Sequence, residues 1–385
     1  MSYIPDNVAN DNQKPQKIKS YWQEVRSRLW HNRPAMLSLI FIILLIISAI
    51  IGPFVTRHTY YEQNLKLSNI APYFEVYEAK TANEEPTYFF MNQGNFKLYE
   101  VTANGELKGI LRAKRRDMIN KKNIYQFGEI QVILNYASLP VQLQDTNDQP
   151  LQSIGTWWNK TYLFGTDSLG RDILVRLLYG ARISLTVAFV ATFVNFFIGI
   201  FYGGVSGYIG GMTDAIMMRI VEIISTIPLT LYVILIMVVL ESGLLAIIIA
   251  IGSVFWVDMA RIVRGQVLSL KTLDYVASAE TMGANMWQIL IGHLLPNAMG
   301  PILVTMTLLI PSAIFIESFM SFIGLGVSVP MASWGTLTAE AVETLRSYPY
   351  QLFFPATAIS LTMFAFNFLG DGLRDAMDPK LNNDN

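Results

Sequence analysis

The sequence has no cysteine and only three histidines, His31, His58 and His293, among 385 residues. Disulfides, thiolate metal sites and cysteine nucleophiles are therefore excluded, and a histidine-rich metal centre lacks the ligands it would need. Charge is scarce as well: 15% of residues are charged against 52% hydrophobic, with a formal net charge of −1. Such a chain offers no basic face to nucleic-acid phosphates. No Gly-Lys dipeptide occurs, so there is no G-x-x-x-x-G-K-[ST] loop to cradle a nucleotide. HExxH and G-x-S-x-G, two common hydrolase signatures, are missing too.

What the chain has is apolar length. Several runs of Ile, Leu, Val, Phe and Met approach the roughly 20 residues a helix needs to cross the hydrocarbon core. The class is a mainly α polytopic membrane protein. Residues 1–34 form a polar segment with Lys14, Lys17, Lys19, Arg26, Arg28 and Arg33 ahead of the first run, "AMLSLIFIILLIISAIIGPFV". That run lacks a small-residue cleavage site, so 35–56 reads as a retained signal anchor whose basic flank stays in the cytoplasm. Further apolar segments near 183–205, 221–240, 244–262, 299–320 and 352–370 bring the expected total to six spans. Counting from an inside start, Arg219, Arg261, Arg264, Lys271, Arg374 and Lys380 all fall on the cytoplasmic side, as do both termini and the tail 376–385, whereas Arg346 falls outside.

Residues 57–160 break the pattern. "TYFFM", "FKLYEV" and "EIQVILNY", with the turn pair Asn104-Gly105, predict a small β-containing domain inserted outside the membrane between the first two spans. Its basic cluster "RAKRR" is either a solvated face or a contact for an anionic ligand or lipid. Residues 161–182 follow as an amphipathic outer segment, in which Asp167 is placed to cap a helix starting at Ser168, with Arg171 and Arg182 along its surface.

One cytoplasmic stretch between spans four and five is oddly polar: "DYVASAETMGANMWQILIGHLLPN", Asp274 to Asn297. Thr272 is positioned as an N-cap, Asp274 favours the positive end of the helix dipole, and Gly283 supplies a left-handed stop. Asn285 with Gln288 predicts a second, capped helix leading back to the membrane. Small residues Ala277, Ser278 and Ala279 allow a partner surface to approach closely.

Other residues invite two readings each. Gly199, Gly203, Gly207 and Gly211 form a four-residue ridge suited to helix packing in lipid. Pro311 in span five and Pro228 near the start of span three free carbonyls that need other partners, which suits kinks beside a cavity. Glu317 is an ionisable group in an apolar run; with Ser321 it is either a hydrogen-bonded gate or fold support, or a contact for a substrate amine. Asp258 and Arg261 are spaced as a local pair.

The polar stretch resembles the EAA loop of ATP-binding-cassette importer permeases, in which a Glu-Ala-Ala triplet lies four residues before a Gly and the loop ends in Leu-Pro. Ala279, Gly283, Leu295 and Pro296 fit that spacing; the triplet reads Ala277-Ser278-Ala279, without the family's acidic residue, and Glu280 lies about a helical turn late. "GTDSLGRD", "LLYGARISL", "WVDMARIVRGQVLSL", "ESFMSFIGLGVSVPMASWG" and "FNFLGDGLRDAMDP" are similar, in order, to the C-subunit type of dipeptide and oligopeptide permeases. The resemblance covers roughly residues 165–379.

The resemblance implies a type I importer core over 183–375, with helices two to six and a coupling loop at 271–297. Tyr275, Val276, Ala277, Ser278, Ala279, Glu280, Gly283 and Ala284 would dock a cytoplasmic ATPase. Pro311, Glu317 and Ser321 are pore or gate candidates, and Gly199, Gly203 and Gly207 pack helices. The implied partners are a second homologous permease in a heterodimer, two ATPases carrying ATP and Mg, an extracytoplasmic peptide-binding protein and membrane lipid. This chain would bind no cofactor, metal or nucleic acid and would catalyse no reaction itself. Its place would be the bacterial cytoplasmic membrane. Nickel or another small solute is the alternative cargo. The readings from other classes are a membrane sensor with 57–160 as its ligand domain, and an intramembrane hydrolase.

Overall fold

The structure is a computed structural model describing residues 21–80, 85–137, 141–241 and 243–378. Lys14, Lys17, Lys19 and Lys380 lie outside the described residues. Two helices open it, α1 (Tyr21–His31) and α2 (Arg33–Val55). Asn32 separates them and caps α2, its side chain accepting a hydrogen bond from the Ala35 amide at 3.2 Å, while Pro34 occupies the first turn, where no donor is needed.

Nine strands follow among the described residues: β1 (Tyr73–Ala79), β2 (Thr87–Asn92), β3 (Lys97–Val101), β4 (Leu107–Ile110), β5 (Arg115–Asp117), β6 (Lys122–Phe127), β7 (Ile130–Asn135), β8 (Gln142–Gln144) and β9 (Gly155–Trp158). They make one sheet in the order β4-β3-β2-β1-β9 and a second in the order β5-β6-β7-β8. All the pairings are antiparallel, and because successive side chains of a strand point to opposite faces, Phe89, Leu98, Tyr125, Val132, Leu134 and Leu143 bury themselves together in one cluster. Ile70, Phe74, Val76, Phe90, Tyr99 and Val101 form a second cluster. At about 1.5–3 kcal/mol for each fully buried large side chain, these clusters give the insert cores of its own. The three strand-like runs of the sequence fall in β2, β3 and β7, and Gly105, at φ +84°, turns the chain between β3 and β4. First and last strands pair, Tyr73 opposite Trp158, so the chain leaves the insert where it came in.

The remaining helices are α3 (Ile173–Ile209), α4 (Gly211–Thr226), α5 (Leu229–Leu240), α6 (Leu244–Gly252), α7 (Trp256–Lys271), α8 (Asp274–Thr281), α9 (Met286–Ile289), α10 (Leu295–Phe322), α11 (Trp334–Thr344) and α12 (Tyr350–Met377). A π-helical turn, Leu290–Leu294, joins α9 to α10. Among the described residues five stretches are long and apolar enough to cross a membrane: Arg33–Val55, Ile173–Ile209, Leu244–Lys271, Met286–Phe322 and Tyr350–Met377. The span expected near 221–240 is instead a pair, α4 and α5, bent by 86°. Pro228 lacks an amide proton and disfavours helix at Ile227, which breaks the run there.

Two sequence expectations are corrected at the start of α3. The helix begins at Ile173, and its cap is Asp172, whose Oδ1 accepts from the Leu174 and Val175 amides; Asp167 caps no helix at Ser168. Asp167 instead closes a turn by accepting from the Leu169 and Arg171 amides, both at 2.9 Å. The segment 161–182 is thus part turn and part membrane helix.

The glycine ridge lies where α3 packs on α7. A Cβ at Gly203 would sit 2.3 Å from the Ala260 carbonyl oxygen, one at Gly199 2.4 Å from the Met259 side chain, and one at Gly207 3.0 Å from the Arg264 oxygen. Lipid tails are as apolar as side chains, so close backbone approach rather than water exclusion holds such helices together. Gly211 is not on this ridge; at φ +59° it opens α4. The bundle has two distinct ends. Tyr21 donates to the Met377 carbonyl at 3.3 Å and both residues flank Gly300, which places α1, the end of α12 and the start of α10 together, while the sheets lie at the other end.

Candidate functional site

At the end away from the sheets, α7 runs out into α8. Leu273, not Thr272, takes the N-cap position and gives no side-chain cap; the Thr272 hydroxyl turns back to the Ser269 carbonyl. The helix stops after two turns because Gly283 adopts φ +86°. Its amide donates to the Glu280 carbonyl at 3.0 Å and the Ala284 amide to the Ala279 carbonyl at 3.1 Å, the paired bonds of a Schellman stop. Asn285 and Gln288 then form a reciprocal capping box, as their spacing predicts. From there helix continues through the π turn to Phe322 without a break, 37 residues in all.

Val276 and Ala279 are buried in the main helical core, and Tyr275 and Ala284 pack against it. The opposite face is open: Ala277, Ser278, Glu280 and Gly283 are exposed, and Met282 at the tip is 82% exposed. Hydroxyls on that face are already satisfied, Ser278 on the Asp274 carbonyl and Thr281 on that of Ala277. The surface is small, smooth and capped by an apolar tip. Its footing is a group the sequence did not single out. Tyr208, near the end of α3, donates to Glu280 at 3.3 Å, and Lys271 donates to the Tyr208 carbonyl while lying 4.9 Å over its ring. Below it Arg264 makes a bidentate pair with Asp214, which also accepts from Ser206. By contrast the expected Asp258 and Arg261 pair is a loose, exposed contact at 3.6 Å.

The sheet end carries the other candidates. Glu317 has no exposed surface; its carboxylate accepts from Ser184 and Ser321, both at 3.0 Å. Ser184 also accepts from the Trp334 amide at 3.1 Å, so one carboxylate ties α3, α10 and the start of α11. Pro311 is buried within α10, which continues through it. Beside this lies a cluster of which sequence reasoning found only part. Arg171 binds Asp167 at 2.6 Å and Glu340 at 2.7 Å, and Arg176, 2% exposed at its side chain, binds the same two carboxylates at 2.7 Å each. A cavity of about 1060 Å³ separates the first sheet from the start of α12, lined by Tyr73, Glu75, Trp158, Tyr348 and Phe353 among others.

A model of the family described as binding-protein-dependent transport system inner membrane component matches residues 173–383, more than half of the chain. The chain belongs to this family. The permease also matches, over residues 20–72, the N-terminal TM domain of oligopeptide transport permease C. It is 55% identical over 223 residues to the oligopeptide transport system permease protein OppC of Bacillus subtilis, covering 58% of this chain and 73% of that one. To the dipeptide transport system permease protein DppC of the same organism it is 48% identical over 239 residues, 62% of this chain and 73% of the other. To the Escherichia coli OppC it is 44% identical over 272 residues, 70% of this chain and 90% of the other. The permease is thus an integral component of the inner membrane and a transport subunit, not an enzyme. That sets aside the sensor and hydrolase readings. The insert falls largely between the two family matches.

Proposed function

We propose that the permease is one half of the translocation path of an importer for oligopeptides or dipeptides, driven by ATP hydrolysed elsewhere. The observation that carries this is α8: an open, small-residue knob seated on the core and joined through a capped turn to an unbroken helix. That helix, Met286–Phe322, is about 55 Å long at 1.5 Å per residue. A push on α8 therefore travels along continuous helix to the far end of the bundle, with Pro301 and Pro311 as the points where that helix can bend. The names of the relatives, oligopeptide and dipeptide permeases, favour peptide over nickel as cargo.

In this reading a cytoplasmic ATPase carrying ATP and Mg grips Tyr275 to Ala284, with Met282 as the deepest contact. A second homologous permease completes the path and binds a second ATPase, and an extracytoplasmic binding protein delivers the peptide. Both termini face the cytoplasm, the α4–α5 pair counts as the sixth span, and the insert lies outside. Glu317, with Ser321 and Ser184, acts as a latch at the gate end rather than as a substrate contact, since its carboxylate is wholly enclosed. Pro311 lies within the same helix, two turns from the latch.

The test is ATP-dependent uptake of a labelled tripeptide by proteoliposomes holding the complete importer, with Gly283→Val alongside. Valine at φ +86° costs about 1–2 kcal/mol, and a Cβ at that position meets nothing within 4 Å. Membrane insertion is expected to survive while uptake falls at least tenfold. Wild-type uptake in that variant removes the coupling role of the loop, and uptake of nickel but not peptide removes the cargo assignment.

A further inference from the structure

The hairpin of β5 and β6 ends in a tip that the fold itself does not use. Met118 is 80% exposed and Ile119 92% exposed, side by side at a turn where polar residues normally sit. The turn is nonetheless firmly built. Asp117 accepts from the Ile119 amide at 3.1 Å, the Asn120 amide at 3.0 Å and the Asn120 side chain at 2.8 Å, and these bonds hold its carboxyl below the usual carboxylate range. Lys121 completes the turn at φ +50°. Two apolar side chains are thus presented outward by a fixed loop.

Around them stand Lys114, Arg115, Arg116 and Lys121, all exposed and none in an ion pair among the described residues. Lys122, one residue on, is paired with Asp148 at 2.8 Å, so the acids of the insert are not simply out of reach. The hairpin belongs to the second sheet, which rests on the first through Phe89, Leu98 and Tyr125. Contact with the helices is made by the other layer, through Asn69 with Gln351 and Gly94 with Tyr348. The tip thus stands exposed on the sheet that does not supply these contacts.

We propose that the Met118–Ile119 tip is a docking point for an acidic protein surface, the two apolar side chains entering a dimple and Lys114, Arg115, Arg116 and Lys121 pairing with carboxylates around it. Resting on the importer reading, the partner of that chemistry is the extracytoplasmic binding protein. Such a collar of unpaired charge speeds encounter and selects the partner, while the apolar tip supplies the contact that slows its release.

The experiment uses the complete importer in nanodiscs and the purified binding protein of the same system, read by binding affinity and by receptor-stimulated ATP hydrolysis across a salt series. Met118→Asp with Ile119→Asp is expected to weaken binding at least tenfold. Arg115→Glu with Arg116→Glu is expected to lower the association rate tenfold and flatten its salt dependence, while Arg115→Lys with Arg116→Lys leaves it near wild type. Hydrolysis at saturating receptor is expected to be unchanged in all of them. Wild-type affinity in both disruptive pairs overturns the docking role. So does an affinity that ignores both pairs while hydrolysis follows the phosphatidylglycerol content of the disc, which would assign the tip to anionic lipid. If wild-type importer shows no receptor-stimulated hydrolysis, the importer reading fails, whatever the hairpin does.

Discussion

The two ends of the helical bundle are held in opposite ways. At the sheet end, Arg176 is 2% exposed and shares two carboxylates with Arg171, Glu317 is enclosed by serines, and Gln351 and Tyr350 donate into the loops at the base of the insert. At the α8 end Arg264 and Asp214 form one firm pair, but the links to α8 itself are wetter: an exposed Tyr208 contact to Glu280, a cation over a ring, and an apolar tip open to solvent. At the sheet end the clamp of Arg171, Arg176, Asp167 and Glu340 is closed within the chain. The other end leaves Met282 and the small residues of α8 open, as the coupling role proposed for it requires.

The sharpest way to break that contrast is to make the same substitution at both ends. Gly170 and Gly283 both have positive φ, +72° and +86°. A Cβ at Gly170 would lie 1.9 Å from the Asn64 carbonyl oxygen, a backbone atom that cannot yield, whereas one at Gly283 meets nothing within 4 Å. Gly170→Ala is therefore expected to abolish the folded sheet end, seen as rapid proteolysis between 57 and 172. Gly283→Ala is expected to cost only about 1 kcal/mol, the ordinary left-handed penalty. Equal sensitivity of the two would mean that the α8 end is as rigidly built as the other.

Next in size is Arg176→Met. Removing one partner of a buried pair costs about 3–5 kcal/mol, and the lower end applies here because Arg171 still holds Asp167 and Glu340 is 40% exposed at its side chain. Thermal unfolding of the purified permease is the measurement. A loss below about 1 kcal/mol, the range of surface ion pairs, would show that the cluster is not a clamp.

Much of this was legible and some was not, for reasons that differ by residue. Apolar run length located the spans, because crossing the bilayer fixes a minimum length. The stop at Gly283 and the box of Asn285 and Gln288 were readable because caps are local, decided within four residues. Asp167 and Asp172 were not separable by that rule: both precede helix-compatible residues, and the choice falls to Asp172 because Gly170 turns the chain at φ +72° between them. Glu340 was invisible, since its partners Arg171 and Arg176 are 169 and 164 residues away and nothing local marks the pairing. The kink at Pro228 was readable from the proline, whereas its size, 86°, was not, because apolar composition carries no angle. Tyr208 gave no signal at all; a single tyrosine at a helix end is unremarkable until Lys271 and Glu280 arrive beside it.

Acid titration probes the clamp more gently than mutation. Burial pushes the Glu340 carboxyl up, but the hydrogen bonds and charges of Arg176 and Arg171 more than offset this and hold it below the usual carboxylate range. Its unfolded value is ordinary, about 4.3. A group depressed in the folded state contributes stability that is complete above the unfolded value and fades as pH falls through the folded one. Melting of the wild type is therefore expected to decline on acidification below about pH 4. In Arg176→Met the decline should be smaller, since less of that depression remains. An identical acid profile in the two would mean that other carboxylates carry the loss.

The smallest expected effect sharpens the contrast most. Tyr208→Phe removes one 3.3 Å hydrogen bond to an exposed carboxylate, worth at most about 1 kcal/mol, so melting should barely move. If α8 is a lever resting on Tyr208, its angle loosens all the same, and more ATP is spent for each peptide carried, by about twofold in proteoliposomes on the scale of a few tenths of a kcal/mol. Glu280→Gln should do the same, because it weakens the same bond from the other side, and the double variant should add nothing further. An unchanged ratio of ATP to peptide in all three would mean that Glu280, late by a turn from the family's acidic position, is only a solvated charge. A large drop in melting temperature would instead make Tyr208 a clamp like Arg176, and the two ends would no longer differ in kind.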